Sequence, residues 1–232
     1  MRTTVTSAEK FTRSVDLHFE VSRAGQVSAL WLRPERARAA LALAHGAGAG
    51  MRHAFMESVA ERLAARGIAT LRYQFPYMER GTRRPDPPSV AVACVRAAAE
   101  VAQKEAGDLP LFAGGKSYGG RMTSTAAAQT PLPGVRGLVF LGFPLHASGR
   151  PGSERATHLQ DVSVPMLFLQ GTRDPLADLA LVRPLCASLG ERAQLHVVDG
   201  GDHSFHVLKS SGRSDDAVQD ELADAIAGWM DT

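Results

Sequence analysis

Leu111–Arg121 reads LFAGGKSYGGR and places Ser117 between Gly115 and Gly119, directly after a short apolar run. The pattern G-x-S-x-G between a strand and a helix is typical of a nucleophile elbow, a sharp turn that lifts the serine hydroxyl clear of a sheet. Residues two positions from the serine must be small, because a larger side chain would collide with neighbouring backbone. We therefore interpret Ser117 as a candidate nucleophile at the carboxyl end of a strand.

The same stretch has other interpretations. Ser117 as an ordinary helix N-cap in a glycine-rich turn requires no chemistry. A phosphate-binding P-loop ends in G-K-[ST], as this stretch does, but its first glycine would fall on Pro110, which excludes it. A dinucleotide site at His45–Gly50 (HGAGAG), with Arg72 contacting an NADP phosphate, lacks the G-x-G-x-x-G spacing. The elbow remains the favoured interpretation, and NADP-dependent reduction an alternative to it.

Outward from the elbow, apolar runs alternate with helical periodicity from about residue 17 onward. We expect strands at Leu17–Arg23, Val27–Arg33, Ala40–Ala44, Ile68–Tyr73, Leu111–Ala113, Gly137–Leu141, Met166–Leu169 and Gln194–Val198. We expect helices at His53–Arg66, Ser89–Glu105, Ser117–Gln129, Leu176–Leu189 and Asp215–Met230. The first two strands predict an antiparallel hairpin that turns at Ala24–Gln26. The whole order predicts an α/β fold, a doubly wound and mostly parallel sheet of about eight strands.

Composition limits the class of protein. The 232 residues fit a single domain at 17–232 after an N-terminal extension at 1–16. The formal net charge is +2 with scattered basic residues, which argues against nucleic acid as a partner. We expect no membrane partner and a cytoplasmic location, because no apolar run is long enough for a membrane span or a signal peptide. Cys94 and Cys186 lack neighbours at metal-ligand spacing, so we expect reduced structural thiols and no metal or cofactor.

A serine nucleophile needs an imidazole to accept its proton and a carboxylate to orient that imidazole. Behind an elbow of this kind the partners follow in the order Asp, then His. Asp174 follows one predicted strand, in QGTRDPL (170–176), and His203 follows the next, in DGGDHSF (199–205). We therefore predict that Asp174 and His203 are the partners of Ser117.

Both partners have simpler alternatives. Asp174 precedes Pro175 and would also serve as the N-cap of the following helix. His196 lies within a predicted strand and His206 lies past the turn, so His203 has the better position at a strand end. Ser117, Asp174 and His203 each follow a predicted strand, and together they indicate nucleophilic catalysis more specifically than any one of them does.

The oxyanion that develops in acyl transfer needs backbone N–H donors. One would be Tyr118, immediately after the candidate nucleophile, and the other lies in the loop after the third predicted strand. We predict Ala47 for this second donor, with Gly46 as the neighbouring choice. A flexible Gly/Ala connection without such a role is the alternative.

Six motifs of the chain carry a further indication: HGAGAGMRHAFM (45–56), YQFPYMERGTRRPD (73–86), GGKSYGGRM (114–122), GFPLH (142–146), FLQGTRDPL (168–176) and GGDHSF (200–205). They resemble the α/β-hydrolase superfamily, and within it a small, dienelactone-hydrolase-like domain shared by uncharacterised bacterial hydrolases, a testis-expressed protein and a chromatin NSL-complex subunit. The resemblance implies an α/β-hydrolase fold with Ser117 as nucleophile, Asp174 as acid and His203 as base. It implies no established substrate.

Arginines cluster in the sequence beyond the fourth predicted strand. Arg80, Arg83 and Arg84 would join Arg72 at the active-site edge, where they could bind a carboxylate or phosphate on a substrate. Solvated pairs with the nearby Glu79 and Asp86 are the more ordinary outcome for such a cluster.

We expect a cofactor-independent serine hydrolase that cleaves an ester or thioester of a small acyl substrate through an acyl-enzyme on Ser117. The connection Phe143–Pro165 is too short for a large helical cap, so we expect an open site. The alternative is a catalytically silent protein-interaction module of the same fold. The sequence leaves the acyl group, the leaving group and the oligomeric state open.

Overall fold

The structure is a computed structural model that describes residues 14–232, in which one sheet of eight strands runs through the centre. The strands are β1 (Val15–Val21), β2 (Gly25–Leu32), β3 (Ala39–Ala44), β4 (Ile68–Tyr73), β5 (Leu111–Lys116), β6 (Val135–Leu141), β7 (Met166–Gly171) and β8 (Ala193–Val198). Their order is β1-β2-β4-β3-β5-β6-β7-β8. Strands β1 and β2 pair antiparallel, as do β2 and β4, and all other pairs are parallel.

Helices cover both faces of this sheet. The α-helices are α1 (Ala54–Ala65), α2 (Pro76–Glu79), α3 (Pro88–Ala106), α4 (Tyr118–Gln129), α5 (Leu179–Leu189) and α6 (Asp215–Trp229), and 3₁₀ helices lie at Glu154–Asp161, Gly190–Arg192 and Lys209–Ser211. Helix α6 illustrates a local cause, since the Ser214 side chain accepts from the Ala217 N–H and Asp215 lies in the first turn.

The apolar residues form two clusters, one on each side of the sheet. Side chains on alternate residues of a strand point to opposite faces. Leu41 and Leu43 of β3 therefore pack with α1 and α6, whereas Ala40 and Ala42 pack in the cluster that contains residues of α3, α4 and α5. The central parallel strands β3, β5 and β7 are buried on both faces, which accounts for their mostly apolar sequences. The predicted fold class is confirmed.

The connection between β6 and β7 contains one 3₁₀ helix, Glu154–Asp161, and no α-helix. No large cap domain therefore covers the carboxyl ends of the strands, as expected. No helix within residues 14–232 combines the length and apolarity that crossing a bilayer requires.

Several boundaries differ from the prediction by one to three residues. The hairpin turns at residues 22–24 rather than 24–26, because Arg23 takes a positive φ of 63° and Gly25 already pairs with Val21. Strand β5 continues to Lys116, since its glycines still pair with both neighbouring strands. Helix α5 begins at Leu179 rather than Leu176. The expected extension 1–16 lies mostly outside the described residues, and β1 begins at Val15.

Candidate active site

Ser117 lies at a strained turn between β5 and α4. Its backbone angles are φ 51° and ψ −114°, and its N–H donates to the carbonyl oxygen of Leu141 over 3.0 Å. A non-glycine residue in such a region costs about 1–3 kcal/mol, so it persists only where the surrounding structure holds it. The turn is the predicted elbow, and its hydroxyl reaches the carboxyl edge of the sheet.

The glycines of the motif are required by the end of β3. A Cβ on Gly115 would lie 2.4 Å from the carbonyl oxygen of Ala44, and one on Gly119 would lie 2.6 Å from the same atom. Both distances are far shorter than van der Waals contact. Any larger residue at either position would therefore push the elbow away from β3.

The side chains of Ser117, His203 and Asp174 form one hydrogen-bonded chain. Nε2 of His203 lies 2.8 Å from Oγ of Ser117, and Nδ1 of His203 lies 2.8 Å from Oδ2 of Asp174. A carboxylate can only accept, so Nδ1 carries the proton in the neutral imidazole. Nε2 is then free to accept the proton of the serine hydroxyl. The structure thus brings together the three side chains singled out in the sequence.

Asp174 is held by two further donors. Nε2 of Gln170 donates to Oδ2 over 2.5 Å, and the N–H of Leu176 donates to Oδ1 over 2.8 Å. Helix α5 has Asp178 as its N-cap, which accepts from the Ala180 N–H. The alternative interpretation of Asp174 as the N-cap is therefore wrong. Gln170 was missed in the sequence, although a polar residue ending the apolar run MLFLQ was a usable signal.

Other histidines make similar contacts but do not complete the chain. Nε2 of His196 lies 2.7 Å from Glu221, and Nδ1 of His206 lies 2.7 Å from Asp215, whose hydrogen bond raises the pKa of His206. Nε2 of His158 lies 2.8 Å from Oγ of Ser124 and has no carboxylate within hydrogen-bond distance. Within residues 14–232, His203 alone contacts both a serine hydroxyl and a carboxylate.

A pocket of about 220 Å³ opens beside the Ser117 hydroxyl. Its lining residues are Gly46, Ala47, Ala49, His53, Phe55, Met56, Lys116, Ser117, His203 and Ser204. The N–H of Ala47 donates to no acceptor in the described part of the chain. Tyr118 is the first residue of α4, where an N–H has no helical acceptor. Neither N–H is bound by an acceptor in residues 14–232, and the role of the two groups as oxyanion donors stays a prediction.

His45 supports the loop that carries Ala47. Its ring is fully buried, with Nδ1 donating to the carbonyl oxygen of Gly46 over 2.7 Å and Nε2 accepting from the N–H of Phe75 over 3.2 Å. Burial lowers the pKa of His45 to about 4, against a smaller opposing effect of the Gly46 hydrogen bond. The neutral ring therefore joins the loop after β3 to the segment after β4. No pattern in the sequence indicated this role.

Arg72 does not join the exposed Arg80, Arg83 and Arg84 in one cluster. Arg72 is buried and donates to the carbonyl oxygen of Met51 over 3.3 Å, because its position in β4 faces α1. Arg80 pairs with Asp86, as the alternative predicted, whereas Glu79 instead accepts from the N–H and hydroxyl of Ser28.

The two cysteines lie free and buried, as expected. Among the described residues, no group of three or more His, Cys, Asp or Glu side chains is arranged to hold a metal ion.

Replacing Ser117 tests the strain at the elbow. Ser117→Gly should be more stable than Ser117→Ala by about 1 kcal/mol, because glycine accepts a positive φ and this gain exceeds its larger unfolded-state entropy. Urea unfolding of both variants measures the difference. The pair Ser124→Gly and Ser124→Ala, inside α4, is the control and should show the opposite order. Equal stability of the two Ser117 variants would contradict the strain.

The buried His45 ring predicts acid sensitivity. Its pKa is about 4 in the folded chain and about 6.5 when unfolded, so the unfolded state binds more protons between these values. The neutral ring therefore stabilises the folded state, and its contribution to the unfolding free energy is complete above pH 6.5 and is lost as the pH falls towards 4. Urea unfolding at stepped pH should show that His45→Gln loses less unfolding free energy over this window than the wild type does. The exposed control His18→Gln should keep the wild-type slope, and a His45→Gln slope equal to wild type would refute the assignment.

Solved structures with the same fold were found in several bacteria. An alpha-beta serine hydrolase homologue from Coxiella burnetii is 19% identical, with a TM-score of 0.75 over 93% of this chain and 98% of that one. A serine hydrolase without lid from Xanthomonas campestris is 21% identical, with a TM-score of 0.73 over 94% of this chain and 95% of that one. A dienelactone hydrolase from Anabaena variabilis is 20% identical, with a TM-score of 0.75 over 94% of this chain and 96% of that one. A family model described as alpha/beta hydrolase domain matches residues 37–231. The chain belongs to the alpha/beta hydrolase domain family.

Proposed function

We propose that this protein is a serine hydrolase that cleaves a carboxylic ester or thioester of a small acyl substrate through an acyl-enzyme on Ser117. The observation that carries the proposal is the hydrogen-bonded chain from the Ser117 hydroxyl through His203 to the buried Asp174 carboxylate, beside a pocket. Family membership supports hydrolysis, and so do the names serine hydrolase and dienelactone hydrolase that the structural neighbours carry.

In acylation, Oγ of Ser117 attacks the carbonyl carbon while Nε2 of His203 takes the hydroxyl proton. The carbonyl oxygen becomes an oxyanion, which the N–H groups of Ala47 and Tyr118 stabilise. Asp174 keeps the proton of the ring on Nδ1 and stabilises the imidazolium that forms. The tetrahedral intermediate collapses, the bond to the leaving alcohol or thiol breaks, and the leaving group takes the proton from Nε2.

Deacylation repeats these steps with water. Nε2 of His203 takes a proton from the water, whose oxygen attacks the acyl carbon and forms a second oxyanion on the same donors. The bond to Oγ of Ser117 then breaks, the serine oxygen takes the proton back, and the carboxylic acid leaves. The cycle consumes one water and needs no cofactor.

The pocket favours a small substrate. Its volume of about 220 Å³ lies below the 300–1,000 Å³ of ordinary drug-sized sites. The buried Met56 and the half-buried Phe55 line it from α1 with apolar surface. A short acyl chain therefore fits against this wall, and each methylene it buries contributes about 0.8 kcal/mol. A chain longer than the pocket gains no further burial and collides with this wall.

Ser117→Ala should abolish ester hydrolysis and labelling by a fluorophosphonate probe, because no nucleophile remains. Asp174→Asn should lower kcat by about 10⁴, as in the related serine protease case, because the imidazole loses its correct tautomer. Ser124→Ala and Asp178→Asn are matched controls, since Ser124 contacts a histidine outside the pocket and Asp178 only caps α5. Both controls should keep wild-type rates.

Undiminished hydrolysis by Ser117→Ala would refute the assignment, and a loss of tenfold or less in Asp174→Asn would limit that residue to a structural role. A folded wild-type protein that neither labels nor hydrolyses any ester would instead indicate the interaction module.

A series of p-nitrophenyl esters tests the size of the pocket. We expect kcat/KM to rise from acetate to about butyrate and to fall at least tenfold by the long-chain esters, because a chain too long for the pocket displaces the scissile carbonyl from Ser117. Met56→Ala should move the optimum to a longer chain. Val59→Ala removes a buried side chain of the same helix outside the pocket and should leave the optimum in place. An optimum at long chains in the wild type would contradict the pocket assignment.

A further inference from the structure

Lys116 is a buried lysine whose role the catalytic chain leaves unexplained. It is the last residue of β5, directly before Ser117, and only 9% of it is exposed, whereas Lys104 and Lys209 lie at the surface. It shares a strand face with Phe112, so its side chain runs to the side of the sheet covered by α1 and α6. An ammonium group rarely lies at such a position without a specific partner.

The partner is the backbone of the candidate base. Nζ of Lys116 donates to the carbonyl oxygen of His203 over 2.5 Å, and within residues 14–232 no other donor contacts this oxygen. The ring centroids of Phe205 and Phe55 lie 5.4 and 6.0 Å from Nζ, within the range of cation–π attraction. The two rings stack on each other with centroids 6.0 Å apart.

The charge of Lys116 is retained in this surrounding. Burial lowers its pKa to about 8, while the carboxylates of Asp174 and Asp202 oppose that shift. The ammonium form therefore predominates at neutral pH. Its positive charge strengthens the hydrogen bond to the His203 carbonyl, since bonds with an ionised donor are roughly twice as strong as neutral ones.

Within residues 14–232, no other hydrogen bond involves the main chain of His203. The Asp202 carboxylate accepts from the N–H groups of Ser204 and His206, and the Asp202 N–H donates to the His206 carbonyl oxygen. These bonds lie within the loop, whereas the Arg173 N–H on the Gly201 carbonyl oxygen and the Gly200 N–H on the Thr172 hydroxyl join it to the segment after β7. Lys116 instead joins the main chain of His203 to the strand that carries the nucleophile, one residue away from Ser117.

We propose that Lys116 is a positioning residue, which holds the main chain of His203 against β5 so that Nε2 of the imidazole stays on the Ser117 hydroxyl. This inference rests on the proposed ester hydrolysis. The lysine therefore acts through the main chain of His203, although its side chain also lines the pocket beside Ser117. The G-K-S sequence, which suggests a phosphate-binding lysine, here places the ammonium on the carbonyl oxygen of His203.

If Lys116 positions His203, its replacement should lower activity without lowering stability. Replacing a buried charge by an apolar side chain of similar volume is often neutral or stabilising, because the cost of desolvating the charge disappears. Lys116→Met should therefore keep or raise the melting temperature while the imidazole loses its restraint. A residue needed only for packing would lose stability and activity together.

The first experiment compares Lys116→Met with wild type and with the exposed control Lys104→Met. We expect kcat of Lys116→Met to fall on the order of 100-fold, as misplacement of a catalytic group by about 1 Å does, with KM within about twofold of wild type. Lys104→Met should keep the wild-type kcat. A kcat within threefold of wild type, or a loss that follows a lowered melting temperature, would overturn the inference.

The second experiment restores the ammonium chemically. Lys116→Cys, treated with 2-bromoethylamine, regains a side chain of lysine length and charge, whereas treatment with 1-bromopropane gives a neutral side chain of equal length. Mass spectrometry establishes that residue 116 is modified in each sample. We expect the aminoethyl form to recover at least tenfold in kcat and the propyl form to recover none. Equal recovery in both forms, or none in the aminoethyl form, would overturn the inference.

Fluorophosphonate labelling of the wild type keeps this inference separate from the proposed function. A wild-type protein that neither labels at Ser117 nor hydrolyses esters removes the proposed function and, with it, the role of Lys116. If the wild type labels and hydrolyses esters but Lys116→Met keeps the wild-type kcat, only the role of Lys116 is refuted.

Discussion

The conformation of one residue sets the conditions for the rest of this site. Ser117 has a φ of 51°, a value that residues other than glycine normally avoid. Neighbouring residues must therefore hold it in this strained conformation. Its N–H is bound by Leu141 at the end of β6, and the glycines around it lie against the end of β3. The elbow therefore requires the two strands that flank β5, and its formation depends on the central part of the parallel sheet.

The same sheet brings the partners to the hydroxyl. Asp174 follows β7 and His203 follows β8, and parallel strands place their carboxyl ends on one edge. The loops alone do not fix the side chains to a few tenths of an ångström. That accuracy comes from buried polar groups beneath the edge, namely Gln170 on the carboxylate and Lys116 on the histidine backbone. Strand order brings the groups near, and these contacts determine the distances.

The features of the fold and the site that could be predicted from the sequence are those with a physical cause within a few residues. The elbow at Ser117 follows from backbone sterics within a few residues, and the alternation of runs indicates the sheet and its layers. Contacts between distant segments were not predictable in this way. Arg72 was grouped with Arg80 because they are close in sequence, but successive strand positions face opposite sides of the sheet, and Arg72 faces α1. His45 and Lys116 likewise act on residues from other loops.

Each of these supporting groups keeps one charge state, for a different reason. His45 must be neutral, because its Nε2 accepts from the Phe75 N–H and an imidazolium has no acceptor nitrogen. Lys116 must donate, and the carboxylates of Asp174 and Asp202 keep its ammonium form favourable at neutral pH. Apolar residues of equal volume would cost less desolvation at the Lys116 position. The retention of polar groups there is therefore better explained by the geometry they impose on the elbow and the histidine loop than by the stability of the fold.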